Sequence, residues 1–248
     1  MVRPSSPPSF RLKAVLVLVA VVAFVVSPIW SPSFKGYDPT QFPNPVDAPA
    51  IQPAGWAFSI WSLIYLWLVA HALWGLLRHN DDAGWDRTRL PLLLSTGLGA
   101  SWLVVATSMP WLATLQIWLM WALALWAMMR ARDAGQPALC AGPIGLYTGW
   151  LTAASAVGTG VVLIGYNIGS EITVTLLMLC VVAAISLAIV LLARPPRTFA
   201  IAVIWALIGV IAANWGDGVV MLPASIFALA LAAVAWRDLL PKAQAVGR

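Results

Sequence analysis

Residues 90–129 read LPLLLSTGLGASWLVVATSMPWLATLQIWLMWALALWAMM, a run of forty residues without a charged side chain. About 20 apolar residues in a helix already cross the hydrocarbon core of a bilayer, so this run is too long for one span. Proline is poorly tolerated inside a helix and well placed at its start, and Ser108-Met109-Pro110-Trp111 lies at the middle of the run. The run therefore predicts two transmembrane helices joined by a tight turn.

Composition extends this interpretation to the whole chain. Of the 248 residues, 61% are hydrophobic and 9% are charged, whereas a soluble domain is about 45–50% apolar and about 25% charged. So few charges cannot cover a soluble protein, but they suit a chain surrounded by lipid. We therefore predict an all-α fold, a polytopic transmembrane bundle of about eight helices. The predicted spans are 13–30, 56–77, 90–109, 111–129, 138–165, 172–193, 198–214 and 218–236.

The basic residues favour one orientation of this bundle. With eight spans, thirteen of the fourteen Lys and Arg residues fall on one side of the membrane and Lys35 falls on the other. Cytoplasmic loops carry an excess of Lys and Arg, so both termini are predicted to be cytoplasmic. The net charge of +5 is scattered between apolar runs, without a basic stripe or tail. It therefore does not indicate a nucleic-acid partner.

Two segments near the N-terminus leave alternatives open. The basic start and the apolar run 14–26 also resemble a signal peptide, although Ser27-Pro28-Ile29-Trp30 is a poor cleavage site. We expect an uncleaved first span. The extracytoplasmic connection 31–55 contains six prolines, which favour a stiff, extended segment. Loops of this length are often functional, so this one is either a lid over a cavity or a spacer.

Tryptophan is unusually frequent, with fifteen residues. Those at predicted span ends suit the aromatic belt of a membrane protein. Others lie deeper: Trp61, Trp67, Trp102, Trp118, Trp121 and Trp150. A buried indole needs a partner for its N–H group. Several deep indoles suit either a pocket for a flat, apolar ligand or simple packing.

Ionisable and metal-binding residues are scarce within the predicted spans. His71 is the clear case, and it is either an interfacial residue or an axial ligand of haem. Cys140 and Cys180 fall in separate spans, where we expect them to pack as small apolar residues. No metal site is predicted. Without a visible nucleophile–base pair or phosphate loop, no catalytic residue is predicted either.

Residues 52–65 read QPAGWAFSIWSLIY. This stretch resembles the tryptophan-rich sensory protein family, also called the translocator protein or TspO/MBR family, whose second helix begins Pro-Gly-Trp-x-Phe-Ser-x-x-Trp-x-x-Leu-Tyr. The chain is one residue shorter between Phe58 and Trp61. The family's third-helix Asn-x-x-Trp is similar to Gly99-Ala100-Ser101-Trp102. Its fifth-helix Pro-Tyr-x-x-Trp-x-x-x-Ala is similar to PIGLYTGWLTAA at 143–154.

The resemblance covers residues 10–168, although the family's Lys-Pro-x-Trp stretch before the second helix is missing. It implies a TspO/MBR-like five-helix membrane domain at 1–170 and a three-helix C-terminal membrane extension at 171–248. Small residues recur every four positions on span five, at Ala141, Gly145, Gly149 and Ala153. This spacing lets helix backbones approach closely, either inside the bundle or between protomers.

The resemblance implies a membrane receptor or sensor that binds tetrapyrroles, such as porphyrin or haem, or sterol-like apolar molecules. The ligand would lie among the first five spans, beneath the 31–55 loop. The residues matched to the family's ligand-lining stretches are Trp61, Tyr65, Gly99, Trp102, Trp150 and Ala154.

Other functions stay open. A transporter of the same ligands would show two similar halves with broken helices, and no internal repeat is evident. Light-dependent degradation of a bound porphyrin would make the protein an enzyme. A structural or accessory subunit would dock in a larger membrane complex through its C-terminal helices. The chain could also assemble as a homodimer. The expected location is a bacterial inner (cell) membrane.

The basic-residue pattern makes the topology testable. Reporter fusions after Leu77, Arg132 and Arg194 should report a cytoplasmic position, and fusions near Ser170 should report the opposite side, because Lys and Arg are retained in the cytoplasm. Reporter activity in intact cells measures this. A fusion after Arg248 that reports an outside position would contradict the eight-span topology.

Overall fold

Eight α-helices and short helical turns make up the computed structural model, which describes residues 8–30, 37–45 and 47–237. Lys35, with the rest of 31–36, and residue 46 of the predicted loop lie outside the described residues. The helices are α1 (Pro8–Trp30), α2 (Ile60–Leu77), α3 (Ala83–Ala106), α4 (Pro110–Ala131), α5 (Gly142–Gly165), α6 (Glu171–Ala188), α7 (Arg197–Ala213) and α8 (Gly218–Ala235). The prediction of an all-α helical bundle is confirmed.

The lengths and composition of these helices suit a membrane. Seven of them, some extended by a short helical turn, are long and apolar enough to cross one. Helix α7 has 17 residues, the lower limit for a span. The predicted hairpin is present, because α3 ends at Ala106 and α4 begins with Pro110 at its first position. Helix α3 starts at Ala83 rather than at residue 90, since Asp82 accepts hydrogen bonds from the backbone of Gly84 and Trp85 at 2.8 and 3.1 Å.

Helix α5 occupies the centre of the bundle. In its most apolar window 78% of the residues are buried, whereas no other candidate span exceeds 39%. It contacts α2 and α4 from the first half of the chain and α6 and α7 from the second. A helix that is apolar all round belongs in an interior position, and α5 is therefore the element on which both halves pack.

Small residues of α5 bring α7 close. A Cβ atom on Gly149 would lie 2.2 Å from the carbonyl oxygen of Phe199, and one on Gly145 would lie 2.5 Å from Pro196 and Thr198. The Thr198 hydroxyl donates a hydrogen bond to the Gly142 carbonyl oxygen at 2.8 Å. At these two glycines the small-residue pattern of span five therefore serves packing inside the bundle.

A buried arginine joins the first three helices at one end of the bundle. Arg89 is 2% exposed. Its Nη2 donates to the carbonyl oxygens of Gly75 and His79 at 3.2 and 2.9 Å, and its Nη1 donates to the Phe10 carbonyl oxygen at 3.0 Å and to Asp86 Oδ1 at 3.1 Å. The last carbonyl groups of a helix have no partner within it. Arg89 thus satisfies acceptors at the end of α2 that lipid could not satisfy. We call this end the arginine face.

The opposite end carries the connecting segment, defined as residues 37–45 and 47–54, and we call it the loop face. The segment is tied to the ends of four helices. Its hydrogen bonds run from Gln41 Nε2 to the Ala106 carbonyl oxygen at 3.0 Å, from Asn44 N to the Gly165 carbonyl oxygen at 2.9 Å, from Ala50 N to Glu171 Oε1 at 2.8 Å and from Ala54 N to the Gly209 carbonyl oxygen at 3.0 Å. It therefore lies across the loop face instead of projecting away from it.

Loss of Arg89 should destabilise the bundle. Replacing it with Met removes the donor to Asp86 Oδ1 and to several carbonyl groups, while Lys13 still donates to Asp86 Oδ2 at 2.8 Å. Breaking one partner of a buried charge pair costs about 3–5 kcal/mol. We expect a marked fall in the thermal unfolding temperature of Arg89→Met in detergent micelles. Arg132→Gln, which removes an exposed arginine near the same face, is the control. Equal stability of Arg89→Met and Arg132→Gln would contradict this account.

Candidate functional site: an aromatic cavity beneath the connecting segment

A cavity of about 260 Å³ lies inside the bundle beneath the connecting segment. Its wall combines residues of α1 to α5, α7 and the connecting segment, and most of them are aromatic or aliphatic. The aromatic members are Phe24, Tyr37, Phe58, Trp61, Tyr65, Trp102 and Trp150. Ligand sites are typically concave and apolar with a few placed polar groups, and this cavity has that character.

Five of the six predicted ligand-binding residues line this one cavity. They are Trp61, Tyr65, Trp102, Trp150 and Ala154, which come from α2, α3 and α5. The helices therefore bring together side chains that lie up to about ninety residues apart in the sequence.

Gly99, the sixth predicted residue, is not among the residues that line the cavity. A Cβ atom at this position would lie 2.7 Å from the ring of Phe24. The ring of Phe24 does line the cavity. Gly99 therefore leaves space for the ring of Phe24, which forms part of the wall, and does not itself line the cavity.

The aromatic rings of the wall are ordered by one another. Trp61 and Tyr65 stack with centroids 5.3 Å apart and an interplanar angle of 27°. Trp150 meets Trp61 edge-on at 6.1 Å and Phe58 edge-on at 5.9 Å. The ring of Phe24 stands edge-on to Tyr65 at 5.2 Å. Such arrangements are favourable beyond area burial, so the walls are in place before any ligand arrives.

Three of the six deep indoles, and Trp205 of α7 as well, donate their N–H to an acceptor within 3.0 Å. The acceptors are the Ala113 carbonyl oxygen for Trp102, Thr159 Oγ1 for Trp118, Thr152 Oγ1 for Trp121 and the Ala57 carbonyl oxygen for Trp205. Each of these bonds joins two segments of the chain. These tryptophans are structural ties between helices as well as apolar bulk.

Trp150 differs from those four. Trp150 is only 2% exposed, and its Nε1 has no hydrogen-bond partner among the described residues. Buried polar groups are nearly always hydrogen-bonded, and an exception calls for an explanation. Because Trp150 lines the cavity, its N–H is a donor that a bound molecule could satisfy.

The connecting segment and α7 supply wall residues that the sequence motifs did not indicate. Gln52 and Tyr37 contribute an amide and a phenol to the wall. Burial raises the pKa of Tyr37 to about 12, against an opposing contact with the Thr114 hydroxyl. Its phenol therefore stays protonated at neutral pH. Ala206 of α7 also lines the cavity, so its wall extends beyond the first five spans, among which the ligand was expected to lie. Phe58, by contrast, lies within the quoted motif and could have been included.

His71 is engaged away from the cavity wall. Its Nδ1 lies 2.9 Å from the Leu139 carbonyl oxygen, and its ring stacks on Trp85 with centroids 5.0 Å apart. It is not among the residues that line the cavity. Through these contacts His71 packs inside the bundle and joins α2 to the start of the fifth span.

Neither cysteine forms a disulfide: Cys140 is buried and Cys180 is exposed. Within the described part of the chain, no three His, Cys, Asp or Glu side chains are grouped so that they could hold a metal ion. What the cavity offers is therefore a set of aromatic faces and a few hydrogen-bonding groups.

Comparison with known proteins identifies the family. The sequence model of the TSPO-like protein family matches residues 14–237. The match continues beyond residue 168, where the resemblance drawn from the sequence ends, and it includes α6, α7, α8 and the two described residues that follow α8. Neither the curated proteins nor the solved structures that were compared contain a match. Together with the helical bundle and the aromatic cavity, the family match shows that the chain is a membrane protein of the TSPO-like family.

Proposed function

We propose that this protein is a membrane receptor or sensor whose aromatic cavity binds a flat, largely apolar molecule of the tetrapyrrole or sterol-like class. The observation that carries the proposal is the buried N–H of Trp150, which lacks an acceptor at the wall of a cavity lined by aromatic rings. An ordered apolar wall with one unsatisfied donor suits a ligand that combines a flat apolar body with an acceptor at its edge.

The size of the cavity narrows this proposal. Its volume of about 260 Å³ lies just below the roughly 300–1,000 Å³ of sites for drug-sized ligands. With the connecting segment in place, the cavity accommodates a small apolar molecule or one edge of a larger one. A whole porphyrin or haem requires the connecting segment to move, and this segment is held by hydrogen bonds to α3, α5, α6 and α7.

The alternatives make different demands on the chain. A transporter of the same ligand also needs a second state in which the cavity opens to the arginine face. Light-dependent degradation of a bound porphyrin would use the same cavity, with the ligand as the light absorber. An accessory subunit of a larger membrane complex, or a homodimer, would depend on the outer surface of the bundle. A receptor, a transporter and a porphyrin-degrading enzyme would all bind the ligand in the cavity. An accessory subunit would not need to, so a binding measurement separates it from the other three.

We further propose that the protein lies in a bacterial inner membrane, and the distribution of its basic residues favours cytoplasmic termini. We also retain the division into a five-helix domain at 1–170 and a C-terminal extension at 171–248. Ala206 of α7 lines the cavity, which supports a part for the extension in the proposed ligand binding.

The N–H of Trp150 can be tested separately from its ring. Trp150→Phe keeps an aromatic face and removes the donor, so it should weaken binding of protoporphyrin IX by about tenfold, the factor that corresponds to 1.4 kcal/mol. Absorption titration of the purified protein measures the affinity. Trp126→Phe removes a half-exposed indole from the surface of α4 and should leave the affinity unchanged. If wild type binds neither protoporphyrin IX nor a fluorescent sterol, the proposed ligand class is wrong.

Filling the cavity should have the same effect as removing its donor. Ala154→Phe places a ring in the space that the ligand occupies and should weaken binding of the same probe by tenfold or more. Ala122→Phe adds the same ring to an exposed position of α4 and serves as the matched control. Equal loss of binding in the two variants would indicate general destabilisation and would remove the support for this site.

A further inference from the structure

A second cavity, of about 420 Å³, opens at the arginine face between the end of the sixth span, the start of α7 and the end of α8. Three arginines line it: Arg194, Arg197 and Arg237. The remaining wall includes two prolines and apolar side chains such as Val190, Ala200 and Val234, and no described acidic residue lines it. The cavity therefore combines positive charge with an apolar wall.

The backbone around Arg194 has an unusual conformation. The sixth span ends in a π-helical turn, Ile189–Ala193, and Arg194 follows with φ 47° and ψ 61° in the left-handed region. A bulky residue rarely adopts that region, and the residue before a proline, here Arg194 before Pro195, ordinarily favours extended angles. π-Helical turns and strained residues concentrate at functional sites. Here the strained turn brings Arg194 to the wall of the cavity.

The start of α7 adds to the positive potential of this wall. Helix α7 begins at Arg197 and runs for 17 residues. The first N–H groups of a helix have no acceptor within it, and its N-terminus carries a partial positive charge that favours anions. Guanidinium groups bind phosphate oxygens in a bidentate geometry. The cavity thus has the donors that a phosphate group requires.

We propose that this cavity binds the phosphate of an anionic phospholipid head group. The site lies where the sixth and eighth spans end and the seventh begins, which is the depth at which lipid head groups lie. Basic pockets between transmembrane helices are suited to such head groups. A phosphate ion in solution offers the same oxygens, but the apolar side of the wall is used only by a ligand that also carries glycerol and acyl groups. This assignment does not depend on a ligand in the aromatic cavity.

Lipid-dependent stability of the full chain tests the proposal. Thermal unfolding in detergent micelles is followed while phosphatidylglycerol, phosphatidylcholine or inorganic phosphate is added. Phosphatidylglycerol should raise the unfolding temperature of the wild type, and phosphatidylcholine and inorganic phosphate should not. In Arg194→Gln/Arg197→Gln/Arg237→Gln the same rise should require at least about tenfold more phosphatidylglycerol. Arg194→Gln alone, which changes an exposed side chain, should weaken the response in the same direction.

A matched variant separates a site from general attraction between charges. Arg78→Gln/Arg130→Gln/Arg132→Gln removes three arginines from the same face that do not line the cavity, and it should respond to phosphatidylglycerol as the wild type does. Equal weakening in both triple variants would overturn the proposal. Stabilisation by inorganic phosphate as strong as that by phosphatidylglycerol would overturn the lipid assignment.

Discussion

The close approach of α5 to α7 is the constraint on which the rest of the bundle depends. At Gly149 there is no room for a Cβ atom, because the backbone of Phe199 occupies that position. In a bilayer, apolar burial gives little preference for one helix neighbour over another, and close packing and hydrogen bonds decide which helices associate. Without this contact, α7 would lose its closest approach to the central helix, and the cavity would lose the part of its wall that Ala206 supplies.

Tryptophan performs two functions in this structure. The indoles of Trp118 and Trp121 donate hydrogen bonds to threonines of α5, and they hold α4 against the central helix. The indoles of Trp61 and Trp150 instead present their faces and edges to the cavity. The same residue type therefore supplies both the directional bonds that lipid-embedded helices need and an apolar wall for the cavity in which we propose that a flat ligand binds. A high tryptophan content follows from the two requirements together.

The sequence predicted the helices well because hydrophobicity and proline positions depend on local composition. The start of α3 was missed because Arg87 and Arg89 read as loop residues, whereas Arg89 is buried and paired in the fold. Five cavity residues could be taken from motif resemblance. The unsatisfied N–H of Trp150 could not be predicted in this way, because it depends on whether the neighbouring described helices place an acceptor near it. The wall residue Ala206 was also missed, because its sequence surroundings carry no sign of which helix it faces.

The hydrogen bonds of the connecting segment have a kinetic consequence. Glu171 Oε1 accepts from Ala50 N, Asn214 Nδ2 donates to the Ala50 carbonyl oxygen, and Ala54 N bonds to the Gly209 carbonyl oxygen. For the proposed ligand, entry through this segment from the loop face would require such bonds to break together, and the association rate would then be multiplied by the small population of the open state. The same bonds would re-form behind a ligand that has entered. Slow exchange and a long residence time are therefore expected for a ligand that uses this route.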